Sequence, residues 1–172
     1  NAIKEADFII LPGVGSFKKG MENLRKYNLI KLLTQEVIEK RKPFLGICLG
    51  MQLLATYGTE PEKVDGLGWV DGEVVKVESL KGLRVPHLGW NSIKIKNDKT
   101  GFYTNFNNQD FYFIHSYHFN VLNQDEITYS VNYDYEIVAA IQKDNIYAMQ
   151  FHPEKSQKAG MSLLKKVLEQ YA

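Results

Sequence analysis

The sequence predicts an α/β fold: a mostly parallel sheet flanked by helices, with an antiparallel or mixed β extension in the second half. In the first half, short β-branched runs ending at Pro or Gly alternate with helical patterns. In the second half, short β-rich runs are separated by Asn, Asp and Gly turns. The 172 residues, 44% of them hydrophobic, are enough for one core, so we expect a single domain over 1–172.

The first half reads as two strands, each followed by a helix. Strands are predicted at 7–11 (DFIIL) and 43–47 (PFLGI). Over 29–38, apolar residues recur on one helical face and basic residues follow at its end, as the helix dipole favours. A second helix is predicted over 49–57 (LGMQLLATY). Ligands of open α/β sheets bind at the carboxyl ends of the strands, so we expect the site where these strands end.

The second half contains a series of β-rich runs: GWVDGEVVKVE, NSIKIK, DFYFIHSYHFNV, EITYSVN, EIVAAIQ and NIYAMQF. The polar stretch 97–110 predicts a surface loop. The chain ends in a helix with an apolar stripe that is expected to cover one face of the sheet: Met161, Leu164, Val167, Leu168 and Tyr171.

Composition excludes several classes of protein. The 21 basic and 20 acidic residues give a net charge of +1 without a basic stripe, so we expect no nucleic-acid partner. The one cysteine cannot form an internal disulfide, and no apolar run approaches the ~18 residues of a membrane span. No signal segment is recognisable. We therefore expect a cytoplasmic protein without a membrane partner.

The cysteine lies in a pattern typical of a nucleophile. Gly46-Ile47-Cys48-Leu49-Gly50 joins a predicted strand directly to a predicted helix. So sharp a turn brings backbones close together and exposes the central side chain, which requires glycines on either side. The start of the helix would also favour the thiolate of Cys48. The alternative is that Cys48 is a small buried hydrophobic residue.

A nucleophilic cysteine needs a base, and His152 is the best candidate. It follows the strand NIYAMQF, and Glu154 lies two residues further on, where it could orient the imidazole. Alternatively, Glu154 is an acidic residue at a helix N-terminus. His87 in a loop and His118 between aromatic residues are expected to be structural or solvated, and His115 to form a strand-end hydrogen bond.

Five motifs in order carry a resemblance to a known family: LPGVGSF, GICLGMQLL, VPHLGWN, HSY and QFHPEKS. Together they resemble the class I (triad-type) glutamine amidotransferases, and most closely the glutaminase subunits of imidazole glycerol phosphate synthase. The resemblance covers nearly the whole chain. It implies the flavodoxin-like fold of that family.

The resemblance implies a Cys-His-Glu triad. Cys48 would attack the side-chain amide of L-glutamine, His152 would transfer protons, and Glu154 would orient His152. Ammonia released with glutamate would pass to a (β/α)8-barrel cyclase partner, which makes imidazole glycerol phosphate and AICAR in histidine biosynthesis. No cofactor and no metal are implied.

The resemblance also assigns the residues around the triad. The oxyanion hole would be formed by backbone groups of Gly13, Val14 and Leu49. Substrate binding would involve Gly50, Gln52, Ser116 and Tyr117. Trp90 and Lys155 would lie at the partner interface. For Trp90 the alternative is core packing, and for Tyr117 it is aromatic burial.

Departures from the family pattern leave further functions open. Family members begin with a further strand and helix, so we expect this chain to lack them. The stretch VNYDYEIVAAIQKDN differs from histidine-pathway members and resembles a paralogous glutaminase that supplies ammonia for amino sugars of surface polysaccharides. A stand-alone γ-glutamyl thiol hydrolase or a catalytically silent scaffold could also have this fold.

Overall fold

The computed structural model describes residues 2–80, 82–98 and 104–170. Its α-helices are α1 (Ala2–Glu5), α2 (Phe17–Lys26), α3 (Leu29–Thr34), α4 (Leu49–Gln52) and α5 (Gln157–Glu169). A π-helical turn, Gln35–Glu39, continues α3, and 3-10 turns occupy Thr104–Phe106, Gln124–Glu126 and Pro153–Lys155. The strands are β1 (Ile9–Gly13), β2 (Phe44–Cys48), β3 (Tyr57–Gly58), β4 (Val64–Asp65), β5 (Gly72–Lys76), β6 (His87–Ile95), β7 (Asp110–His115), β8 (Tyr117–Val121), β9 (Ile127–Tyr133), β10 (Tyr135–Lys143) and β11 (Ile146–Met149).

The large sheet is mixed and has the strand order β1-β2-β11-β10-β9-β6-β7. β2 pairs in parallel with β1 and β11, whereas the strands from β11 to β7 are joined by antiparallel pairing. A smaller sheet has the order β4-β3-β5-β8. The predicted α/β sheet with an antiparallel extension is confirmed, and the extension includes more strands than the parallel part.

The parallel strands place three functional segments at one edge. Gly13 at the end of β1 lies opposite Cys48 at the end of β2, and Ile47 lies opposite Met149 at the end of β11. β2 is buried throughout, which explains its nearly continuous apolar sequence. The segment after β11 therefore emerges beside Cys48, although the two are far apart in sequence.

Two glycines permit the tight turn between β2 and α4. A Cβ on Gly46 would lie 2.8 Å from the carbonyl oxygen of Gly50, and one on Gly50 would overlap the carbonyl oxygen of Leu11. Cys48 between them has φ 53° and ψ −109°, a conformation that non-glycine residues rarely adopt. The predicted nucleophile elbow thus has the backbone geometry expected of it.

Replacing Gly50 with alanine is expected to destabilise the protein by about 3 kcal/mol, because β1 and α4 must move apart to accommodate the methyl group. The urea midpoint should fall with an unchanged m-value. Ser162→Ala, at an exposed position of α5, is the control and should change stability by less than about 0.5 kcal/mol. An unaltered midpoint for Gly50→Ala would contradict the close approach.

Several predicted elements are wrong in extent. The helix predicted over 49–57 ends at Gln52, and turns over 53–56 lead into β3. His87 does not lie in a loop but begins β6 and is fully buried. Part of the predicted loop, 99–103, lies outside the described residues, and β7 already begins at Asp110.

The face that α5 buries also differs from the prediction. Met161 and Leu168 are exposed, and the buried positions are Gly160, Leu163 and Val167. A Cβ on Gly160 would overlap the carbonyl oxygen of Pro153, so the glycine lets α5 pack directly against the preceding turn. Within the predicted stripe, Val167 is buried and Leu164 packs against the core as expected, whereas Met161 and Leu168 do not. Tyr171, also in that stripe, lies outside the described residues.

Candidate active site

A cavity of about 410 Å³ opens at the carboxyl ends of β1 and β2. It is lined by Val14, Gly15, Ser16, Cys48, Leu49, Gln52, Glu60, Pro86, Ile114, His115, Ser116, Tyr117, His152 and Lys155. The structure thus brings together most of the predicted site residues at the predicted edge. A larger cavity of about 850 Å³, lined in part by His118 and Tyr135, holds none of the predicted catalytic side chains.

Cys48 is buried rather than lifted into solvent, with 7% of its surface exposed. Burial raises the pKa of its thiol to about 11 and outweighs the backbone N–H of Leu49, which lowers that pKa. The carboxylate of Glu154 raises it further. The helix start therefore favours the thiolate as predicted, but its effect on the thiol pKa is smaller than that of desolvation.

His152 and Glu154 form the expected pair. Nδ1 of His152 lies 2.7 Å from Oε1 of Glu154, and Pro153 between them begins a 3-10 turn. The carboxylate can only accept, so Nδ1 carries the hydrogen and Nε2 is left to act as a base. Nε2 is buried and has no hydrogen-bond partner among the described residues. Cys48 and His152 line one cavity without a mutual hydrogen bond.

Ser156 fixes the backbone that carries His152. Its hydroxyl donates to the carbonyl oxygen of His152 over 2.6 Å and accepts from the backbone N–H of Tyr112 over 2.9 Å. The backbone N–H of His152 donates in turn to the carbonyl oxygen of Tyr112. The base is therefore tied to β7, a strand whose outer face is exposed.

Gln52 and Gln150 connect the substrate side of the cavity to the nucleophile. Nε2 of Gln52 donates to Oε1 of Gln150 over 2.9 Å and to the carbonyl oxygen of Tyr117 over 2.8 Å. This orients the amide of Gln150 so that its Nε2 donates to Sγ of Cys48 over 3.6 Å. Gln150 is the first residue of the motif QFHPEKS, but the sequence assigned it no role, because only the packing of β11 beside β2 brings it to Cys48.

Replacing Gln150 with leucine is expected to slow the alkylation of Cys48 by iodoacetamide about tenfold, because the thiolate loses a hydrogen-bond donor. Below the thiol pKa of about 11, the rate should rise about tenfold per pH unit in both proteins, since only the thiolate reacts. Gln170→Leu, at an exposed position, is the matched control. Alkylation of Gln150→Leu at the wild-type rate would show that Gln150 does not act on the sulfur.

Two of the three residues predicted for an oxyanion hole, Val14 and Leu49, line the cavity, and Gly13 lies beside Leu49 without being among the lining residues. A Cβ on Gly13 would lie 3.1 Å from Cβ of Leu49, so the two backbones are adjacent. Val14 is exposed and lines the cavity, as does Leu49. Gly50 is not among the lining residues, and its close approach to β1 gives it a packing role.

Glu60 is a second lining residue that the sequence did not indicate. Its Oε2 accepts a hydrogen bond from the backbone N–H of Phe17 over 2.9 Å, which fixes the carboxylate beside the cavity. No sequence motif marks Glu60, which lies in the loop between β3 and β4. A carboxylate in this position supplies an acceptor for an ammonium group.

An exposed apolar face lies beside the cavity on β6 and β7. Leu88, Trp90 and Ile114 are exposed, and the ring of Trp90 contacts that of Tyr112 with 5.9 Å between centroids. Nζ of Lys155 lies 5.9 Å from the Tyr112 ring centroid. We call Leu88, Trp90, Tyr112 and Ile114 the hairpin face. Core packing of Trp90, the alternative to an interface position, is wrong.

The described part of the chain, 2–80, 82–98 and 104–170, has neither a membrane-spanning helix nor a metal cluster. Within these ranges no helix is long and apolar enough to cross a membrane. No group of three or more His, Cys, Asp or Glu side chains placed to hold a metal ion occurs in them either.

Comparison with known proteins decides the family. A family model described as "Glutamine amidotransferase class-I" matches residues 1–170. The chain belongs to this family. The resemblance stated from the motifs is therefore confirmed, and with it the assignment to an enzyme family of glutamine amidotransferases.

Curated relatives share a common name. The chain is 47% identical over 165 residues to "Imidazole glycerol phosphate synthase subunit HisH 1" of Campylobacter jejuni, covering 94% of this chain and 80% of that protein. It is 43% identical to subunit HisH 2 of Pseudomonas aeruginosa, covering 97% and 82%. It is 44% identical to subunit HisH of Methanocaldococcus jannaschii, covering 95% and 80%.

Solved structures confirm the fold. A chain titled "Crystal structure of glutamine amidotransferase" superimposes with a TM-score of 0.70 at 18% identity, covering 96% of this chain and 79% of that one. "Structure of PurLQS from Thermotoga maritima" gives 0.69 at 18% identity, covering 96% and 80%. The predicted amidotransferase fold class is thereby confirmed.

Proposed function

We propose that this chain is the glutaminase subunit of an imidazole glycerol phosphate synthase, which hydrolyses L-glutamine and passes ammonia to a cyclase subunit. One observation carries the proposal: Cys48 and His152 line a single cavity of about 410 Å³, and Glu154 holds Nδ1 of His152 from outside its lining. The similarity to HisH subunits, which is 42–47% identity for seven of them, supports this choice within the family.

In the first half-reaction, Sγ of Cys48 attacks the side-chain amide carbon of glutamine. The thiol proton passes to Nε2 of His152, whose imidazolium is stabilised by the carboxylate of Glu154. The new oxyanion accepts hydrogen bonds from backbone N–H groups of Leu49 and the Gly13–Val14 segment. When the carbon–nitrogen bond breaks, His152 gives its proton to the leaving ammonia and a γ-glutamyl thioester remains on Cys48.

In the second half-reaction, water attacks the thioester carbon. His152 takes a proton from this water, and a second tetrahedral intermediate forms in the same oxyanion hole. The carbon–sulfur bond then breaks, the thiolate recovers its proton from His152, and glutamate leaves. Both half-reactions use the same base, so a single fixed tautomer of His152 serves the whole cycle.

The remaining lining residues fit the amino-acid end of glutamine. The carboxylate of Glu60 is available to the α-ammonium group, and Gln52, Ser116 and Tyr117 line the same cavity. The substrate is thereby oriented with its side-chain amide toward Cys48.

Partner binding would convert the closed site into an active one. In the free chain Nε2 of His152 is covered and the Cys48 thiol has a pKa of about 11, so the nucleophile is not activated. The hairpin face provides the apolar surface for a (β/α)8-barrel partner. Ile114 of this face, and Lys155 beside it, also line the cavity. A shift of β7 would therefore reach His152 through Ser156. One unpaired buried thiol fits a reducing compartment, so we also propose a cytoplasmic location.

The test is glutamate release from glutamine, measured with and without a (β/α)8-barrel cyclase subunit and its nucleotide substrate. We expect a low rate alone and an increase of at least about 10²-fold with both, since partner binding completes the catalytic geometry. Trp90→Ala should weaken partner binding by at least about tenfold. Leu122→Ser, which removes another exposed apolar side chain, is the matched control.

A second acceptor pathway rests on one sequence feature, the stretch VNYDYEIVAAIQKDN that differs from histidine-pathway members. Two subunits of Methanococcus maripaludis, HisH 1 and HisH 2, are each 42% identical to this chain, so similarity does not separate duplicated copies. The alternative is a paralogue that supplies ammonia for amino sugars of surface polysaccharides. Stimulation by a cyclase of that pathway, and not by the histidine-pathway cyclase, would establish it. Full activity without any partner would instead identify a stand-alone γ-glutamyl hydrolase.

A further inference from the structure

Two buried histidines have no part in the proposed chemistry. His87 on β6 lies opposite His115 on β7, and neither is more than 6% exposed. The His87 ring is stacked between Tyr133, at 4.0 Å between centroids, and Phe113, at 4.7 Å. This stacking fixes the plane of the imidazole, so its two nitrogens have defined directions.

A chain of hydrogen bonds runs from β6 through both rings to the cavity wall. The structure places Oδ1 of Asn91 3.0 Å from Nε2 of His87, and Nδ1 of His87 lies 3.0 Å from Nε2 of His115. Nδ1 of His115 lies 2.9 Å from the carbonyl oxygen of Tyr117. Gln52 donates to the same oxygen, which is thereby held from two sides.

The chemistry of the last acceptor determines where the protons are. A carbonyl oxygen can only accept, so Nδ1 of His115 carries a hydrogen. In a neutral ring, Nε2 of His115 is then an acceptor, so Nδ1 of His87 donates to it and Nε2 of His87 must accept. The Asn91 amide must therefore turn its nitrogen toward His87, which its nearly symmetric shape permits.

The opposite orientation of Asn91 would require a buried cation. With Oδ1 of Asn91 facing Nε2 of His87, one of the two rings must carry two hydrogens. Burial disfavours this, because it lowers the pKa of both histidines, and the neighbouring His87 helps to bring that of His115 to about 3. The other titratable groups that act on His115 are His118 and His152, which also disfavour a positive charge there.

We propose that Asn91, His87 and His115 form a neutral relay that donates hydrogen bonds in one direction, toward the carbonyl of Tyr117, and so positions the Ser116–Tyr117 backbone against glutamine. The three are positioning residues, since they act through Tyr117. The positioning part of the proposal rests on the proposed glutaminase function. The direction of the relay is a property of the free protein and does not depend on that function.

The direction is tested by nitrogen NMR of the protein labelled with ¹⁵N-histidine, without glutamine. We expect both His87 and His115 to be neutral near pH 7 with the hydrogen on Nδ1. Asn91→Asp keeps the shape of the side chain, but its carboxylate can only accept, so His87 should carry a hydrogen on Nε2. Either one of the two rings then carries two hydrogens and is charged, or Nδ1 of His115 has no hydrogen and its hydrogen bond to the carbonyl oxygen of Tyr117 is lost. A wild-type His115 that is charged, or that carries its hydrogen only on Nε2, would overturn the proposal.

The positioning is tested by steady-state kinetics with glutamine in the presence of the cyclase subunit. His115→Leu should raise KM about five- to tenfold with kcat changed less than about threefold, since a bond to the substrate-binding backbone is lost. His115→Asn can still donate from its amide nitrogen and should restore most of the affinity. His118→Leu removes a buried histidine outside the relay and is the matched control.

The outcomes separate the two proposals. An unchanged KM in both His115→Leu and Asn91→Asp would overturn the positioning role even if glutamine is hydrolysed. Absence of glutamine hydrolysis in the wild-type complex, together with the expected NMR tautomers, would contradict the glutaminase function and leave the relay standing. If His115→Leu does not fold, Asn91→Asp decides the question, because Asn91 is only half-buried.

Discussion

Glutamine hydrolysis by Cys48→Ser is expected to fall by at least about 10⁴-fold in the complex with the cyclase subunit. Serine keeps the size of the side chain and the turn that carries it. Its hydroxyl is far less acidic than a thiol, and the cavity is arranged around a sulfur that accepts from Gln150. The rate of glutamate release is the measurement.

Binding controls are needed to interpret that loss. Cys48→Ser should bind glutamine in the complex with an affinity within about threefold of wild type, measured by calorimetry, because its substrate contacts are unchanged. It should also retain the wild-type circular dichroism spectrum. A variant that kept a tenth or more of the wild-type rate would show that Cys48 is not the nucleophile.

Glu154→Gln is expected to lower kcat about 10²- to 10³-fold. The carboxylate accepts the hydrogen on Nδ1 of His152 over 2.7 Å, whereas an amide can donate to that nitrogen and select the wrong tautomer. The loss should be smaller than for a fully buried triad acid, since the side chain of Glu154 is 49% exposed and water can replace it in part. Steady-state assays with the cyclase subunit measure the effect.

Glu154→Asp and Glu169→Gln separate catalysis from charge. Aspartate keeps the negative charge and should retain more activity than glutamine at the same position. Glu169→Gln removes an exposed carboxylate on α5, far along the chain from His152, and should have the wild-type rate. Equal activity of Glu154→Gln and wild type would show that Glu154 does not orient His152. Glu154 would then be only an acidic residue at a helix N-terminus, the alternative that the sequence left open.

Local features of the site could be predicted from the sequence. The spacing Gly46-Ile47-Cys48-Leu49-Gly50 encodes a close approach of backbones, and both glycines are in fact confined by neighbouring carbonyl groups. The His152–Glu154 pair is separated by a single proline, so its geometry is set within one turn of the chain. Such features need no knowledge of distant packing.

Features that depend on distant packing could not be predicted. Gln150 reaches the sulfur of Cys48 only because β11 pairs with β2, and Glu60 reaches the cavity only because the loop between β3 and β4 contacts the start of α2. The burial of Cys48, which raises its thiol pKa, depends on the surrounding loops. The close contact between α5 and the turn before it depends on Gly160, and the spacing of apolar residues does not reveal the role of a glycine.

For the histidines, too, the sequence predicts local contacts but not contacts between distant segments. The sequence predicts a strand-end hydrogen bond for His115, and its Nδ1 does contact the carbonyl of Tyr117. Its pairing with His87 follows from the register of β6 and β7, which the sequence does not specify because the residues around His87 favour a loop. The register of β6 and β7 therefore places the two histidines within hydrogen-bond distance of each other.

The central claim is that Cys48 carries a γ-glutamyl thioester during turnover, and mass spectrometry of the acid-quenched complex tests it most directly. The protein should be mixed with glutamine, the cyclase subunit and its nucleotide substrate, quenched during turnover and digested. We predict that the peptide containing Cys48 gains the mass of glutamine less one ammonia, and that the adduct is absent from Cys48→Ser. Turnover of glutamine without any such adduct on Cys48 would contradict the account.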